Sequence, residues 1–214
     1  MKTKITTTIA IAFIFIATLV KAQDEKYIGA MKTGMQLFSN AKSGAEFTAA
    51  SNYFERVASI AKTEWLPFYY AAYTQMINGT TLQDAAQKDL VYDKALELIG
   101  KAEGLKPSES EIAALKGYIS FMKIYIDPMT RMQSGMGQAM ASLEKAKALN
   151  PNNPRPYFII AQNQFYTPEA YGGGKKVAKS GLESAAAKFE TFKADGFAPS
   201  WGKDQNQALL VQCK

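Results

Sequence analysis

Histidine is absent from the 214-residue chain, and cysteine occurs only once, at Cys213. The lack of histidine removes both the commonest general base and the commonest metal ligand. A single cysteine forms no internal disulfide, so packing must stabilise the fold. The sequence also contains no recognisable pairing of a nucleophile with a base. We therefore predict a protein that is not an enzyme, uses no cofactor and holds no metal ion.

Strong net charge is also lacking once the first 22 residues are set aside. Lys2 and Lys4 precede the apolar run 9–20, and the small residues that a signal peptidase reads end at Ala22. This arrangement is typical of a cleaved signal peptide, since an anchor that spans a bilayer needs about 20 apolar residues. We expect cleavage after Ala22 and a periplasmic or secreted protein, with membrane attachment only if the leader stays uncleaved.

The remaining residues carry 22 lysines and arginines against 19 acids, a net charge of +3. Nucleic-acid binding usually needs a clustered basic face, so we predict no nucleic-acid partner. Glu109 and Glu111 stand at a predicted helix start, where the helix dipole favours acids, and we expect both to be solvated. The glycine- and lysine-containing stretch 172–176 lacks the spacing of a phosphate-binding loop, so it predicts a turn between two helices.

One helical pattern recurs along the rest of the chain. A small, a large and another small residue follow each other at steps of four and three. Two copies end in a proline: Ala95, Ile99 and Ala102 with Pro107, and Ala139, Leu143 and Ala146 with Pro151. Two weaker copies lack the proline: Ala50, Phe54 and Val57, and Ala178, Leu182 and Ala185. These steps keep the side chains on one helix face. Intervals of 39 to 45 residues between copies predict a helical solenoid.

Breaker residues divide the chain into eight predicted helices and a tail helix. We expect the helices at about 26–42, 45–62, 65–78, 82–102, 109–126, 138–149, 155–166, 175–194 and 203–213. Residues 129–137 are rich in glycine and methionine and predict a loop, in which methionine fills gaps rather than binding copper. The predicted organisation is a signal peptide at 1–22, a repeat domain at 23–194 and a tail at 195–214 with a capping helix.

The helix that precedes each small-residue helix also repeats. Residues 67–72 and 156–161 align without a gap, and Gly117 takes the close-packing place between them. Together with the small-residue helix, this pattern resembles the tetratricopeptide repeat (TPR), W-x2-L-G-x2-Y followed by A-x3-F and P. The resemblance covers about 27–194, with connections longer than the family's period of about 34 residues allows. It implies an all-α, right-handed superhelix of about four TPR-like hairpins, closed by a short C-terminal capping helix.

In such a superhelix the first helix of each hairpin lines a concave groove, so the resemblance implies a binding surface. Its predicted residues are Tyr69, Tyr73, Met76, Tyr118, Phe121, Tyr125, Arg155, Phe158, Gln162 and Phe165. Aromatic residues, methionine and arginine are enriched at interfaces. We therefore predict a scaffold that binds a protein or peptide partner there, with rings that are partly exposed in the free protein. Two alternatives remain: the rings pack into the core, or the protein is a small-ligand-binding or transport-accessory component.

Overall fold

The computed structural model describes residues 24–213, and within this range the chain is all-helical, as predicted, without β-strands. Helix α1 covers 24–40. The other helices are α2 (Gly44–Ile60), α3 (Leu66–Thr81), α4 (Ala85–Leu105), α5 (Ser110–Ile124), α6 (Pro128–Leu149), α7 (Pro154–Tyr166), α8 (Lys175–Thr191) and α9 (Lys203–Val211), with a 3-10 turn at Glu169–Tyr171. The predicted signal peptide lies outside the described residues.

Two helix limits differ from the sequence prediction. The predicted loop at 129–137 is wrong, because α6 begins at Pro128 and runs through it. Asp127 starts this helix by accepting a hydrogen bond from the Thr130 backbone N–H, and proline suits the first helical turn. Helix α3 also continues past Gly79 to Thr81. A Cβ on Gly79 would lie 2.2 Å from the Tyr92 ring, so this glycine serves close packing rather than a turn.

The helices pack in chain order. From α2 to α9 each helix contacts the next, and further contacts join α3 to α5, α5 to α7 and α7 to α9. The small residues of the repeating pattern lie at these contacts and have no exposed surface: Ala50, Ala95, Ala102, Ala139, Ala146, Ala178 and Ala185. The predicted packing face of the second helices is therefore confirmed. Between 24 and 213, no helix is both long enough and apolar enough to cross a membrane.

The C-terminal segment is more than a cap on the end of the stack. Helix α9 packs on α8 and α7, and Asn206 donates a hydrogen bond to the Leu182 carbonyl at 3.0 Å. Residues 192–202, which we call the C-terminal strap, return across α1, α3, α5 and α7. The Phe197 carbonyl accepts a hydrogen bond from the Tyr70 hydroxyl at 2.8 Å, and the Phe197 ring meets Tyr27 edge to face.

Candidate functional site

The C-terminal strap occupies much of the surface on which a partner was predicted to bind. Six of the ten predicted groove residues are buried: Tyr69, Tyr73, Met76, Phe121, Arg155 and Phe158. The expectation that these side chains are partly exposed is wrong, because the strap and neighbouring helices cover them. Phe158, for example, packs against Phe189 of α8 at a ring distance of 6.4 Å. Tyr118, Gln162 and Phe165 are half-buried, and Tyr125 is exposed.

Trp201 is the main side chain by which the strap enters this surface. Its indole stacks on Tyr73 at 5.1 Å and on Tyr118 at 5.9 Å, with interplanar angles of 14° and 28°. Its Nε1 donates a hydrogen bond to the Tyr69 hydroxyl at 3.0 Å. The Arg155 guanidinium lies over the indole at 5.1 Å, a favourable cation–π geometry. Four predicted groove residues therefore bind a side chain of the same molecule.

Arg155 holds the strap through a buried ion pair. One guanidinium nitrogen lies 2.7 Å from Oε1 of Glu111, and another donates to the Pro199 carbonyl. Both side chains are buried, so the prediction that Glu111 is solvated is wrong. The two residues stand 44 positions apart, each in the first turn of its helix, α5 and α7. The sequence contained a signal for this pair, because an acid, Glu111, and a base, Arg155, occupy corresponding positions of the repeating pattern.

Burial makes Glu111 an unusual acid. Loss of hydration raises the pKa of Glu111 to about 7, with the nearby Glu109 carboxylate adding to the effect. The Arg155 charge and hydrogen bonds from Arg155 and Asn153 oppose this rise. Tyr69 and Tyr70 also face the pair from α3. The folded protein consequently holds the Glu111 proton more tightly than the unfolded chain does.

We expect this carboxyl to make stability depend on pH. Its contribution is complete below the ordinary pKa of about 4.5 and is lost as the pH rises through about 7, at a cost on the order of 3 kcal/mol. Urea unfolding measured from pH 4 to 8 tests this, with Glu111→Gln as the variant that cannot titrate. The slope between pH 4.5 and 7 should be smaller in Glu111→Gln. Equal slopes in the two proteins would contradict the assignment.

An open cavity of about 400 Å³ lies beside the strap, among the ends of α3, α5 and α7. Four predicted groove residues line it, Tyr118, Phe121, Tyr125 and Gln162, together with five that the sequence reasoning missed: Thr80, Met122, Ile159, Asn163 and Tyr166. Thr80 was missed because α3 was predicted to end at residue 78. On α7, the steps from Ile159 to Gln162 and Tyr166 mark one helix face, a signal present in the sequence.

The cavity is aromatic, and none of its nine described lining residues is charged. Burial raises the pKa of Tyr118, against a hydrogen bond with Gln162, and burial also raises the pKa of Tyr125. Both phenols therefore stay neutral at physiological pH. The Tyr125 hydroxyl donates to Oδ1 of Asn163 at 2.5 Å. At the mouth, Tyr125 and Tyr166 remain 38% and 61% exposed, which leaves the cavity open to solvent.

Other charged groups near this end of the molecule are paired. Arg131 binds both carboxylate oxygens of Asp89 at 2.6 Å, and Lys123 contacts Asp89 and Asp93. Lys123 and Arg131 line a smaller hollow of about 270 Å³ between α4, α5 and α6. Among residues 24–213, no group of three histidine, cysteine or acidic side chains is placed to hold a metal ion. The aromatic cavity is therefore the better candidate site.

Comparison with solved structures finds a protein of similar fold, whereas comparison with family models and curated proteins finds none. The fold is similar to that of the HusA haemophore from Porphyromonas gingivalis, with a TM-score of 0.71. The two proteins share 28% sequence identity over 88% of this chain and 90% of that chain. The similarity therefore extends over most of both molecules.

Proposed function

We propose that this protein binds a small, planar and largely apolar ligand of the haem or porphyrin class in the aromatic cavity. The observation that carries the proposal is the group of three tyrosines and one phenylalanine around an open volume of about 400 Å³. Ligand sites commonly have volumes of about 300–1,000 Å³ and mostly apolar walls with a few polar groups. The likeness to a haemophore supports this ligand class, and capture of such a ligand outside the inner membrane fits the predicted export.

A small ligand is favoured over a protein or peptide partner by the position of the C-terminal strap. A peptide that bound along the first helices would have to displace Trp201 from its stack with Tyr73 and Tyr118. It would also have to break the contact between Arg155 and the Pro199 carbonyl. The cavity, in contrast, is open to solvent at its mouth, beside Tyr125 and Tyr166. The scaffold function predicted from the sequence is therefore the second candidate.

The lining residues favour binding through contacts with the ligand's face rather than through a metal. The chain has no histidine, and the raised pKa values of Tyr118 and Tyr125 disfavour the phenolate form that iron prefers. Stacking on tyrosine and phenylalanine rings does not depend on a metal. Since the lining carries no cation, we place acidic groups of the ligand at the mouth, beside Tyr166, where water solvates them.

We also propose that the four hairpins are TPR-like units and that the protein is a non-enzymatic carrier. The buried alanines at matching places of α2, α4, α6 and α8 support the repeat relationship. The ion pair of Glu111 and Arg155 also supports the repeat relationship. These two residues are 44 positions apart and occupy corresponding positions in α5 and α7. A right-handed superhelix is the arrangement that the TPR relationship implies.

Titration of the protein with protoporphyrin IX, with and without iron, tests the proposed function. We expect saturable binding of one porphyrin per chain and affinities within a few-fold of each other, because the contacts are to the macrocycle. Tyr125→Ala should weaken both by about tenfold, since a stacked aromatic contact contributes about 0.5–1.5 kcal/mol. Changes in the porphyrin absorbance band and in intrinsic fluorescence report the binding.

Tyr53→Ala is the matched control, because Tyr53 is a half-buried tyrosine on α2 and α2 contributes nothing to the cavity. Its affinity for porphyrin should equal that of the unaltered protein. An equal loss in Tyr53→Ala and Tyr125→Ala would place the ligand elsewhere. Binding of the iron porphyrin alone would show that a metal bond, and not stacking, dominates.

A further inference from the structure

Tyr118 belongs to two parts of the molecule at once. Its ring lines the cavity and also stacks on Trp201 of the strap, with 5.9 Å between ring centres. Trp201 itself is not among the residues that line the cavity. The indole therefore supports the cavity wall from outside. Without the indole, the Tyr118 ring would have free space on the side away from the ligand and could tilt into it.

Trp201 is in turn fixed from several directions. Tyr73 stacks on it at 5.1 Å, Tyr69 accepts its Nε1 hydrogen bond, and the buried Arg155 guanidinium lies over it. The next residue, Gly202, has a φ of +109°, and a Cβ there would approach the Phe189 ring to 2.8 Å. Both the backbone angle and the close contact require glycine. These contacts consequently hold the Trp201 indole in one position.

We propose that Trp201 is a positioning residue of the ligand site, which holds Tyr118 flat against the cavity and thereby sets the affinity for a planar ligand. This inference rests on the proposed function, because it concerns the same cavity. It assigns the C-terminal strap a part in ligand binding although the strap does not line the site. A rigid supporting residue behind a contact residue lowers the cost of ordering that contact when the ligand binds.

Three variants test the inference with protoporphyrin IX as the probe. Trp201→Leu keeps an apolar side chain but removes the flat support, and we expect about tenfold weaker binding at unchanged stoichiometry. Trp201→Phe restores a ring and should recover affinity to within about threefold. Trp65→Leu is the control: Trp65 also packs on Tyr69, at 5.6 Å, but precedes α3, whereas the cavity residue Thr80 lies near the end of that helix. Its affinity should be unchanged.

The outcomes separate this inference from the proposed function. Equal affinities of Trp201→Leu and the unaltered protein would overturn the role of Trp201 and leave the porphyrin site standing. A reduced binding stoichiometry at unchanged affinity would mean that Trp201 only maintains the fold, and this also overturns the inference. If the unaltered protein binds no porphyrin, the proposed function fails.

A measurement without ligand decides the positioning role in every case. Nuclear Overhauser contacts between the Tyr118 ring and the Gln162 side-chain amide report where the ring lies, since both side chains line the cavity. We expect these contacts to weaken in Trp201→Leu and to persist in Trp201→Phe and Trp65→Leu. Unchanged contacts in Trp201→Leu would show that Tyr118 needs no support from the strap, and the inference would be wrong.

Discussion

Replacement of Arg155 by methionine is expected to lower the free energy of unfolding by about 3–5 kcal/mol at pH 8, where Glu111 is ionised. The substitution removes the guanidinium charge that balances the buried Glu111 carboxylate, from which its nearest nitrogen lies at 2.7 Å. It also removes the donor to the Pro199 carbonyl and the cation that lies over Trp201 and Phe192. Urea unfolding followed by tryptophan fluorescence measures the loss.

The double variant Glu111→Leu/Arg155→Met is the control for this prediction. Removing both charges leaves no uncompensated ion, and apolar replacement of a buried pair is often neutral. We therefore expect the double variant to recover most of the stability that the single variant loses. If Arg155→Met alone costs less than about 1 kcal/mol, Glu111 must take up a proton or find water or another partner, and the ion pair does not hold the strap in place.

The second large effect is expected for Tyr69→Ala and Phe158→Ala, each of which should cost about 3–5 kcal/mol of stability through the cavity that it creates. Both side chains are almost completely buried, at 0% and 1% exposure. Tyr69→Ala also leaves the indole N–H of Trp201 without its acceptor. Chemical unfolding of both variants measures the loss directly, independently of any ligand.

Tyr166→Ala provides the matched comparison. This tyrosine lies at the cavity mouth and is 61% exposed, so its removal should change the free energy of unfolding by no more than about 0.5 kcal/mol. Small costs at Tyr69 and Phe158 would mean that these rings are accessible in solution, as the sequence first suggested. The concave surface would then be free for a larger partner.

The packing of the helices was largely predictable because it follows local rules. Small residues such as Ala139 and Ala146, spaced at steps of three and four, predict which face of a helix packs against its neighbours. Helix limits were less certain where one residue type serves two purposes. Gly79 reads as a helix breaker in the sequence, yet it packs against Tyr92 within α3. The difference depends on a neighbouring helix that the local sequence does not contain.

The C-terminal strap was not predictable by the same reasoning. Residues 192–202 have no helical period, and their main contacts are with residues far away in the chain, as with Tyr70 and Phe197, 127 positions apart. Four of the ten predicted groove residues do line the cavity, because the repeat alignment placed them on the same face. Six of the ten are buried, including the cavity residue Phe121, because the strap and neighbouring helices cover them. What covers each residue depends on contacts that are distant in the sequence, such as Trp201 on Tyr73 and Phe189 on Phe158.

The strap has a further consequence for how the molecule folds and unfolds. In an ordinary repeat protein each unit touches only its neighbours, so the array unfolds in stages and its ends fray independently. Here the Phe197 ring contacts Tyr27 of α1, the Phe197 carbonyl binds Tyr70 of α3, and Trp201 contacts Tyr118 of α5. The strap thus joins the first described helix to later ones. We therefore expect α1, α3 and α5 to unfold together rather than in stages.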